Sequence, residues 1–147
     1  FDLSQNRTSP IIFEWEKVLS FEGNTGPYLQ YTYARIKSIF RKFKEENIEY
    51  TKNSKIILES DIEKDLALVL LNFPNVVVKA AESYRPNLIA DYLFETARAF
   101  NTFYNSKSIL KEENKDIMNS RITLSDKTAY ILKTGLDLLG IKTVDRM

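Results

Sequence analysis

The sequence predicts an all-α fold, a bundle of about six helices in one domain. Apolar residues recur every three or four positions along most of the chain, which is the period of an α-helix with one buried face. Prolines, glycines and capping side chains mark where these helices begin and end. Alternating β-branched residues do not form a competing strand pattern, and 147 residues suit a single core.

Two prolines mark where the first two helices begin. Ser9 followed by Pro10 joins a capping hydroxyl to a proline at a position where no amide donor is needed. The stretch EGNTG, residues 22–26, ends the first helix, and Pro27 begins the second. The apolar face of the first helix comprises Ile11, Ile12, Trp15, Val18 and Leu19. The stripe of the second comprises Leu29, Tyr33, Ile36, Phe40 and Phe43.

The third and fourth helices follow a polar loop. Ser60 and Glu63 have the S-x-x-E spacing of a capping box, in which each side chain satisfies an exposed amide of the first turn. Pro74 is expected to end this third helix, and Asn75 to cap a short fourth helix that reaches about Tyr84. The third helix is expected to run through Leu66, Val69, Leu70 and Phe73.

The last two helices flank the polar connection 105–116. Pro86 opens the first of them. The second is expected to run from about Ser120 to Leu139, with Gly140 as a left-handed C-cap. The helix that begins at Pro86 is expected to pass through Leu88, Tyr92, Leu93, Ala97, Phe100 and Tyr104.

The composition argues against catalysis within this chain. Histidine and cysteine are both absent, which removes the commonest general base, the commonest transition-metal ligand and all thiolate chemistry. The few glycines form neither a GxGxxG nor a phosphate-loop pattern. Glu112, Glu113 and Asp116 are interpreted as solvated surface charges. We therefore predict no metal and no cofactor here, and no apolar run that approaches the roughly 20 residues of a membrane span.

A group of tyrosines lies at the start of the second helix. Tyr28 and Tyr31 are three apart and share a face that Arg35 continues. Tyr33 lies about 200 degrees of helical turn from Tyr31 and joins the apolar stripe, so it is predicted to be core. For the first two tyrosines, spacing leaves two readings open: packing against a neighbouring helix, which it favours, or stacking on bases beside a helix start that attracts phosphate.

The stretch FNTFY, residues 100–104, adds a second polar and aromatic pair. Asn101 and Tyr104 are three apart, which sets an amide edge beside a ring. Phe100 and Phe103 are predicted to be core. The net charge is only +1, but the charges at residues 35–44 and 98–111 are all basic. Aromatic side chains beside cations suit single-stranded RNA, although charge alone favours the interpretation as a solvated helix surface.

Four sequence stretches, in order along the chain, closely resemble the C-terminal anticodon-binding domain of class I arginyl-tRNA synthetases. They read PIIFEWEKVLSF, SFEGNTGPYLQYTYARI, YLFETARAFNTFY and LKTGLDLLGIKTVDRM. The resemblance extends from end to end and implies an all-helical domain of the DALR type. Departures from the family pattern occur at Thr32–Tyr33, at Val144–Asp145 and at Phe94, where a hydroxyl is missing.

This resemblance implies a recognition role for the chain. In the family, the domain grips the anticodon stem-loop of arginine tRNA, and the middle anticodon base is a major identity element. The residues carried over to the anticodon site are Tyr28, Tyr31 and Met147. Those that match nearby family positions are Arg35, Asn101, Tyr104 and Arg146.

The resemblance also implies a parent enzyme. The HIGH and KMSKS signatures of class I synthetases are not found in the chain. We therefore expect residues 1–147 to be a single non-catalytic domain, with 1–22 as a lead-in helix from a catalytic domain that this chain lacks. That domain would use ATP with Mg²⁺ to join arginine to tRNA in the cytoplasm. Arginine tRNA and the catalytic domain are the expected partners, without membrane or DNA; the alternative is a helical protein-interaction module.

Overall fold

The computed structural model describes residues 2–5, 14–18, 23–51 and 53–147, and all regular structure within them is helical. The predicted all-α class is confirmed. The start at Ser9 and Pro10, with Ile11, Ile12 and Leu19, lies outside the described residues, so the number of helices stays a prediction. After a 3-10 turn at Asp2–Ser4 come α1 (Trp15–Val18), α2 (Gly26–Glu45), α3 (Asp61–Leu71), α4 (Phe73–Ser83), α5 (Asn87–Ser106) and α6 (Lys115–Leu138).

Helix α5 lies at the centre of the fold and packs against α2, α3, α4 and α6. Phe100 and Phe103 on α5 are completely buried, as predicted. On α2 the predicted stripe forms the buried face, and Tyr33 belongs to the core. Phe40 is only half-buried, and Ile39 completes the face in its place. Complete burial of a large apolar side chain such as Phe100 or Ile39 stabilises the fold by about 1.5–3 kcal/mol.

Three helix ends have the caps that their residue types favour. Thr25 begins α2, and its hydroxyl accepts a hydrogen bond from the Tyr28 amide at 3.4 Å. The predicted capping box is present: the Ser60 hydroxyl accepts from the Glu63 amide at 3.4 Å, and the Glu63 carboxylate accepts from the Ser60 amide at 2.9 Å. Gly140 follows α6 with a φ of 74°, the left-handed conformation predicted for it.

The predicted boundary between the third and fourth helices is wrong by a few residues. Helix α3 ends before Asn72, and Phe73 and Pro74 begin α4 instead of closing α3. Proline fits the first turn because the amide it lacks would have no partner there. Asn75 therefore lies inside α4, where its side-chain amide donates to the Asn72 side chain at 3.1 Å.

Helix α6 begins earlier than the predicted Ser120. Asn114 caps it, because its side-chain oxygen accepts from the amides of Asp116 and Ile117 at 3.0 and 3.4 Å. The polar connection is shorter than predicted, and α6 has one more turn at its N-terminus.

An ion cluster around the buried Arg121 joins α3, α6 and the connection between α5 and α6. Arg121 pairs with Glu63 at 2.9 Å, with Glu59 at 3.6 Å and with Glu112. The interpretation of Glu112 as a solvated charge is therefore wrong. Burial alone would raise the pKa of Glu63, but hydrogen bonds from Arg121 and Ser60 outweigh it and hold that pKa below its ordinary value of 4.5.

Helices α3 and α4 leave apolar side chains in solvent. Leu71 is 74% exposed, and Leu68 and Val78 are also exposed. Within Asp61–Ser83 an 18-residue window reaches a mean hydropathy of 1.3, so this stretch is long and apolar enough, by length and composition, to cross a membrane. Polar residues interrupt the stretch at Asn72, Asn75 and Lys79, so it contains no unbroken apolar run of about 20 residues. The two helices meet at Asn72, which lies between the end of α3 and the start of α4.

Candidate nucleic-acid interface

Helices α2 and α5 pack side by side and bring together the residues predicted from two distant sequence stretches. We call these five residues the tyrosine–arginine cluster: Tyr28, Tyr31 and Arg35 on α2, and Asn101 and Tyr104 on α5. Three lie one turn apart on one face of α2, and two lie one turn apart on the facing side of α5.

The guanidinium of Arg35 is at the centre of this cluster. Its Cζ lies 4.9 Å from the ring centroid of Tyr31 and 5.6 Å from that of Tyr104. Its Nη2 donates to the Tyr31 hydroxyl at 3.3 Å. A cation between two aromatic rings is held by their negative faces and keeps its remaining N–H groups available as donors.

Asn101 connects the arginine to the first tyrosine. Its Oδ1 accepts from Nη1 of Arg35 at 2.7 Å, and its Nδ2 donates to the Tyr28 hydroxyl at 2.9 Å. The same Nδ2 lies 3.4 Å from the Thr32 hydroxyl, which is completely buried. Both ends of the Asn101 amide are hydrogen-bonded, which holds the amide in one orientation. The amide in turn holds the side chains of Arg35 and Tyr28 in place.

The aromatic rings of the cluster differ in exposure. Tyr28 is half-buried and packs edge-on against Phe94, with the centroids 5.5 Å apart. Tyr104 is half-buried and stacks on Phe100 at 6.0 Å. Tyr31 is 42% exposed. Of the two readings that spacing left open, packing describes Tyr28 against α5, whereas Tyr31 presents a ring to solvent.

The C-terminal tail lies along α2. Gln30 Nε2 donates to the carbonyl of Lys142 at 2.7 Å, and Arg41 Nη1 donates to the carbonyl of Asp145 at 2.7 Å. Gln30 and Arg41 lie about three turns apart on one face of α2, beside the face of the cluster. The exposed end of this tail consists of Arg146 and Met147.

Sequence reasoning missed the two residues that anchor the tail. Gln30 and Arg41 lie 112 and 104 positions from their partners, so no local spacing connects them. Among the described residues, no hydrogen bond or ring contact joins Arg146 or Met147 to the cluster. The tail therefore reaches the same helix as the cluster, on the adjoining face.

The interface is basic, and the described part of the chain provides no metal site. Lys37, Lys42 and Lys44 extend the positive charge of α2 beyond Arg35 and Arg41. Among residues 2–5, 14–18, 23–51 and 53–147, histidine, cysteine and carboxylate side chains form no group of three or more that could hold a metal ion. The prediction that this domain needs no cofactor remains a prediction.

Comparison with known families decides what kind of domain carries this interface. The sequence profile of the DALR anticodon binding domain matches residues 29–147, most of the chain and all of the cluster beyond Tyr28. The chain belongs to the DALR anticodon binding domain family. This DALR domain is 56% identical over 148 residues to an arginine–tRNA ligase of Fusobacterium nucleatum and 45% identical over 146 residues to that of Pasteurella multocida.

Solved structures resemble the DALR domain as well. It superposes with a TM-score of 0.79 on the arginyl-tRNA synthetase of Thermus thermophilus, at 35% identity over 92% of this chain and 23% of the other. For the Plasmodium falciparum enzyme the TM-score is 0.81, at 30% identity over 99% of this chain and 25% of the other. The two ligases named above are matched over 99% of this chain and 26% of their own length. The DALR domain thus spans about a quarter of the relatives it matches.

Proposed function

We propose that this DALR domain binds the anticodon stem-loop of arginine tRNA. The observation that carries the proposal is the position of Arg35, whose guanidinium lies against the rings of Tyr31 and Tyr104 where α2 meets α5. An exposed ring beside a held cation is suited to a loop of RNA, because unstacked bases offer flat faces and the backbone offers negative charge.

In the proposed complex, each part of the interface has a separate role. The exposed ring of Tyr31 stacks on an unpaired base of the loop, and Tyr28 and Tyr104 form the wall behind it. Arg35 and the lysines of α2 hold backbone phosphates. The tail, anchored through Arg41, brings Arg146 and Met147 over the middle anticodon base.

The relatives support a wider proposal about the parent protein. We assign the DALR domain to the recognition of tRNA by an arginine–tRNA ligase, with residues 1–22 as its lead-in segment. The remainder of such an enzyme, including its catalytic domain, uses ATP and Mg²⁺ to join arginine to the tRNA. The ligase acts in the cytoplasm, and docking of the anticodon loop on this domain helps to align the acceptor end with the active site.

The proposal is tested by two tyrosine substitutions that differ only in place. In Tyr31→Ala the stacking ring is lost, and the Kd for the anticodon stem-loop RNA of arginine tRNA should rise about tenfold or more. Tyr130, which is 65% exposed on α6, provides the matched control, and Tyr130→Ala should leave the Kd unchanged. Filter binding at fixed salt measures both. Equal effects of the two substitutions would remove the stacking role.

The alternative function, a helical protein-interaction module, has one observation in its favour. Leu68 and Leu71, one turn apart on α3, and Val78 on α4 are exposed apolar side chains on different helices from the cluster. Binding that depended on these residues and not on Tyr31 would favour the alternative. RNA binding that persists in Leu71→Ser and fails in Tyr31→Ala would favour the DALR proposal.

A further inference from the structure

Asn101 is the residue through which hydrogen bonding passes between the two helices of the cluster. One end of its amide faces Arg35, and the other faces Tyr28 and Thr32. No RNA atom is needed to explain this arrangement, because the amide oxygen and nitrogen both have partners within the protein. The question is therefore what the amide does for the side chains that it holds.

The chemistry of the partners fixes which way the amide points. A guanidinium has only donors and remains charged, so the atom of Asn101 that faces Arg35 at 2.7 Å must be the oxygen. The amide nitrogen, which has two donors and no acceptor, then faces the hydroxyls of Tyr28 and Thr32. Thr32 uses its own proton on the backbone carbonyl of Tyr28 at 3.1 Å, so its oxygen is an acceptor toward the amide.

The direction of the bond to Tyr28 has a consequence for any ligand. Because the Tyr28 oxygen accepts from Asn101 at 2.9 Å, its own proton points away from the amide. The Tyr31 oxygen likewise accepts from Arg35 at 3.3 Å. Arg35 uses two of its five N–H groups within the cluster and keeps the others. Within the cluster, the oxygens of Tyr28 and Tyr31 accept hydrogen bonds from protein donors. The Tyr28 proton and the remaining N–H groups of Arg35 are then available as donors toward a ligand.

We infer that Asn101 is a positioning residue that makes Tyr28 a hydrogen-bond donor toward the bound RNA and holds the Arg35 guanidinium beside it. The inference rests on the proposed RNA binding and adds the chemical class of the contacted atoms. These are hydrogen-bond acceptors: carbonyl oxygens or unprotonated ring nitrogens of a base, or phosphate oxygens. Asn101 itself does not contact the RNA.

Asn101→Asp should reverse the direction of the hydrogen bond to Tyr28, and it changes the shape of the side chain very little. A carboxylate still accepts from Arg35, but it cannot donate to Tyr28, so the tyrosine proton turns inward to the carboxylate. In the wild-type chain, Tyr28→Phe should raise the Kd for the arginine anticodon stem-loop about tenfold, the loss of one good hydrogen bond. In the Asn101→Asp background, the same Tyr28→Phe substitution should change the Kd by less than about twofold, because the hydroxyl no longer faces the RNA.

The added negative charge needs a control of its own. Thr102→Asp introduces the same charge at the neighbouring exposed position of α5. In that background Tyr28→Phe should still raise the Kd about tenfold. If Tyr28→Phe has the same effect in the Asn101→Asp background as in the wild-type chain, Asn101 does not set the direction of the tyrosine, and the inference is overturned. If the wild-type chain does not bind the stem-loop, the proposed function fails and the inference fails with it.

A measurement without RNA tests the hydrogen bond between Asn101 and Tyr28, and it does not depend on whether Asn101→Asp folds. In Tyr28→Phe the amide protons of Asn101 lose their nearer acceptor, so their side-chain ¹H–¹⁵N cross-peaks should move. Thr102→Ser, a change on the neighbouring residue that leaves Tyr28 in place, should leave those cross-peaks where they are. Unmoved cross-peaks in Tyr28→Phe would overturn the hydrogen bond on which the inference depends.

Discussion

Arg121 connects three parts of the chain through a single side chain. It extends from α6 to Glu63 in the first turn of α3, to Glu59 just before that helix and to Glu112 in the connection between α5 and α6. A buried charge is tolerated only when it is paired, and removing one partner leaves the other with its desolvation cost. Glu63 therefore has two roles, as the capping residue of α3 and as the completely buried partner of Arg121.

The low pKa of Glu63 makes stability depend on pH. Because its pKa in the folded protein lies below the ordinary value of 4.5, its stabilising effect is complete above that value and is lost as the pH falls through the folded pKa. Glu63→Gln should lower the free energy of unfolding by about 2 kcal/mol at pH 7, and the difference from wild type should shrink as the solution is acidified. Urea denaturation at a series of pH values measures this.

Glu113 provides the control for that experiment. It is an exposed carboxylate beside Glu112, and Glu113→Gln should leave both the stability and its pH dependence close to wild type. A Glu63→Gln curve that stays parallel to wild type down to the acid limit would show that the ion pair does not contribute in the way described.

Helix α2 carries most of the interface because each of its faces has a different task. One face is core, the next holds Tyr28, Tyr31 and Arg35, and a third anchors the C-terminal tail through Gln30 and Arg41. The start of α2 positions the cluster, since Tyr28 lies in its first turn and donates its backbone amide to the capping hydroxyl of Thr25.

Removing this cap should disturb the cluster together with the helix. Thr25→Ala should lower the free energy of unfolding by about 1 kcal/mol and also weaken binding of the stem-loop RNA, because the first turn that holds Tyr28 frays. Thr25→Ser retains a capping hydroxyl and should behave as wild type in both measurements. If Thr25→Ala and Thr25→Ser are indistinguishable in denaturation and in RNA titration, the cap does not position Tyr28.

At the scale of the whole molecule, the sequence predicts what local spacing encodes. The stripe of α2, the capping box at Ser60 and the left-handed Gly140 each depend on residues within one or two turns, and all three are present. The prediction that Pro74 ends a helix is wrong because a proline that closes one helix and a proline that opens the next have the same local sequence pattern.

Long-range pairings are the part that the sequence does not encode locally. The tail anchors Gln30 and Arg41 meet backbone carbonyls, and any residue can supply a carbonyl, so neither side of the contact has a recognisable residue type. Glu112 lies in a polar connection, and its partner Arg121 is nine positions away on α6, so no spacing within one or two helical turns indicates the pair. The five residues of the cluster are indicated one by one, partly from helical spacing and partly from the family resemblance, but their contact across α2 and α5 is a finding of the structure.

The central claim is that this surface recognises the anticodon loop of arginine tRNA. Its most direct test is the Kd of the wild-type chain for that stem-loop RNA and for the same RNA with the middle anticodon base replaced, both at one fixed salt concentration. We predict that the replacement weakens binding about tenfold or more. Equal Kd values for the two RNAs would contradict the claim.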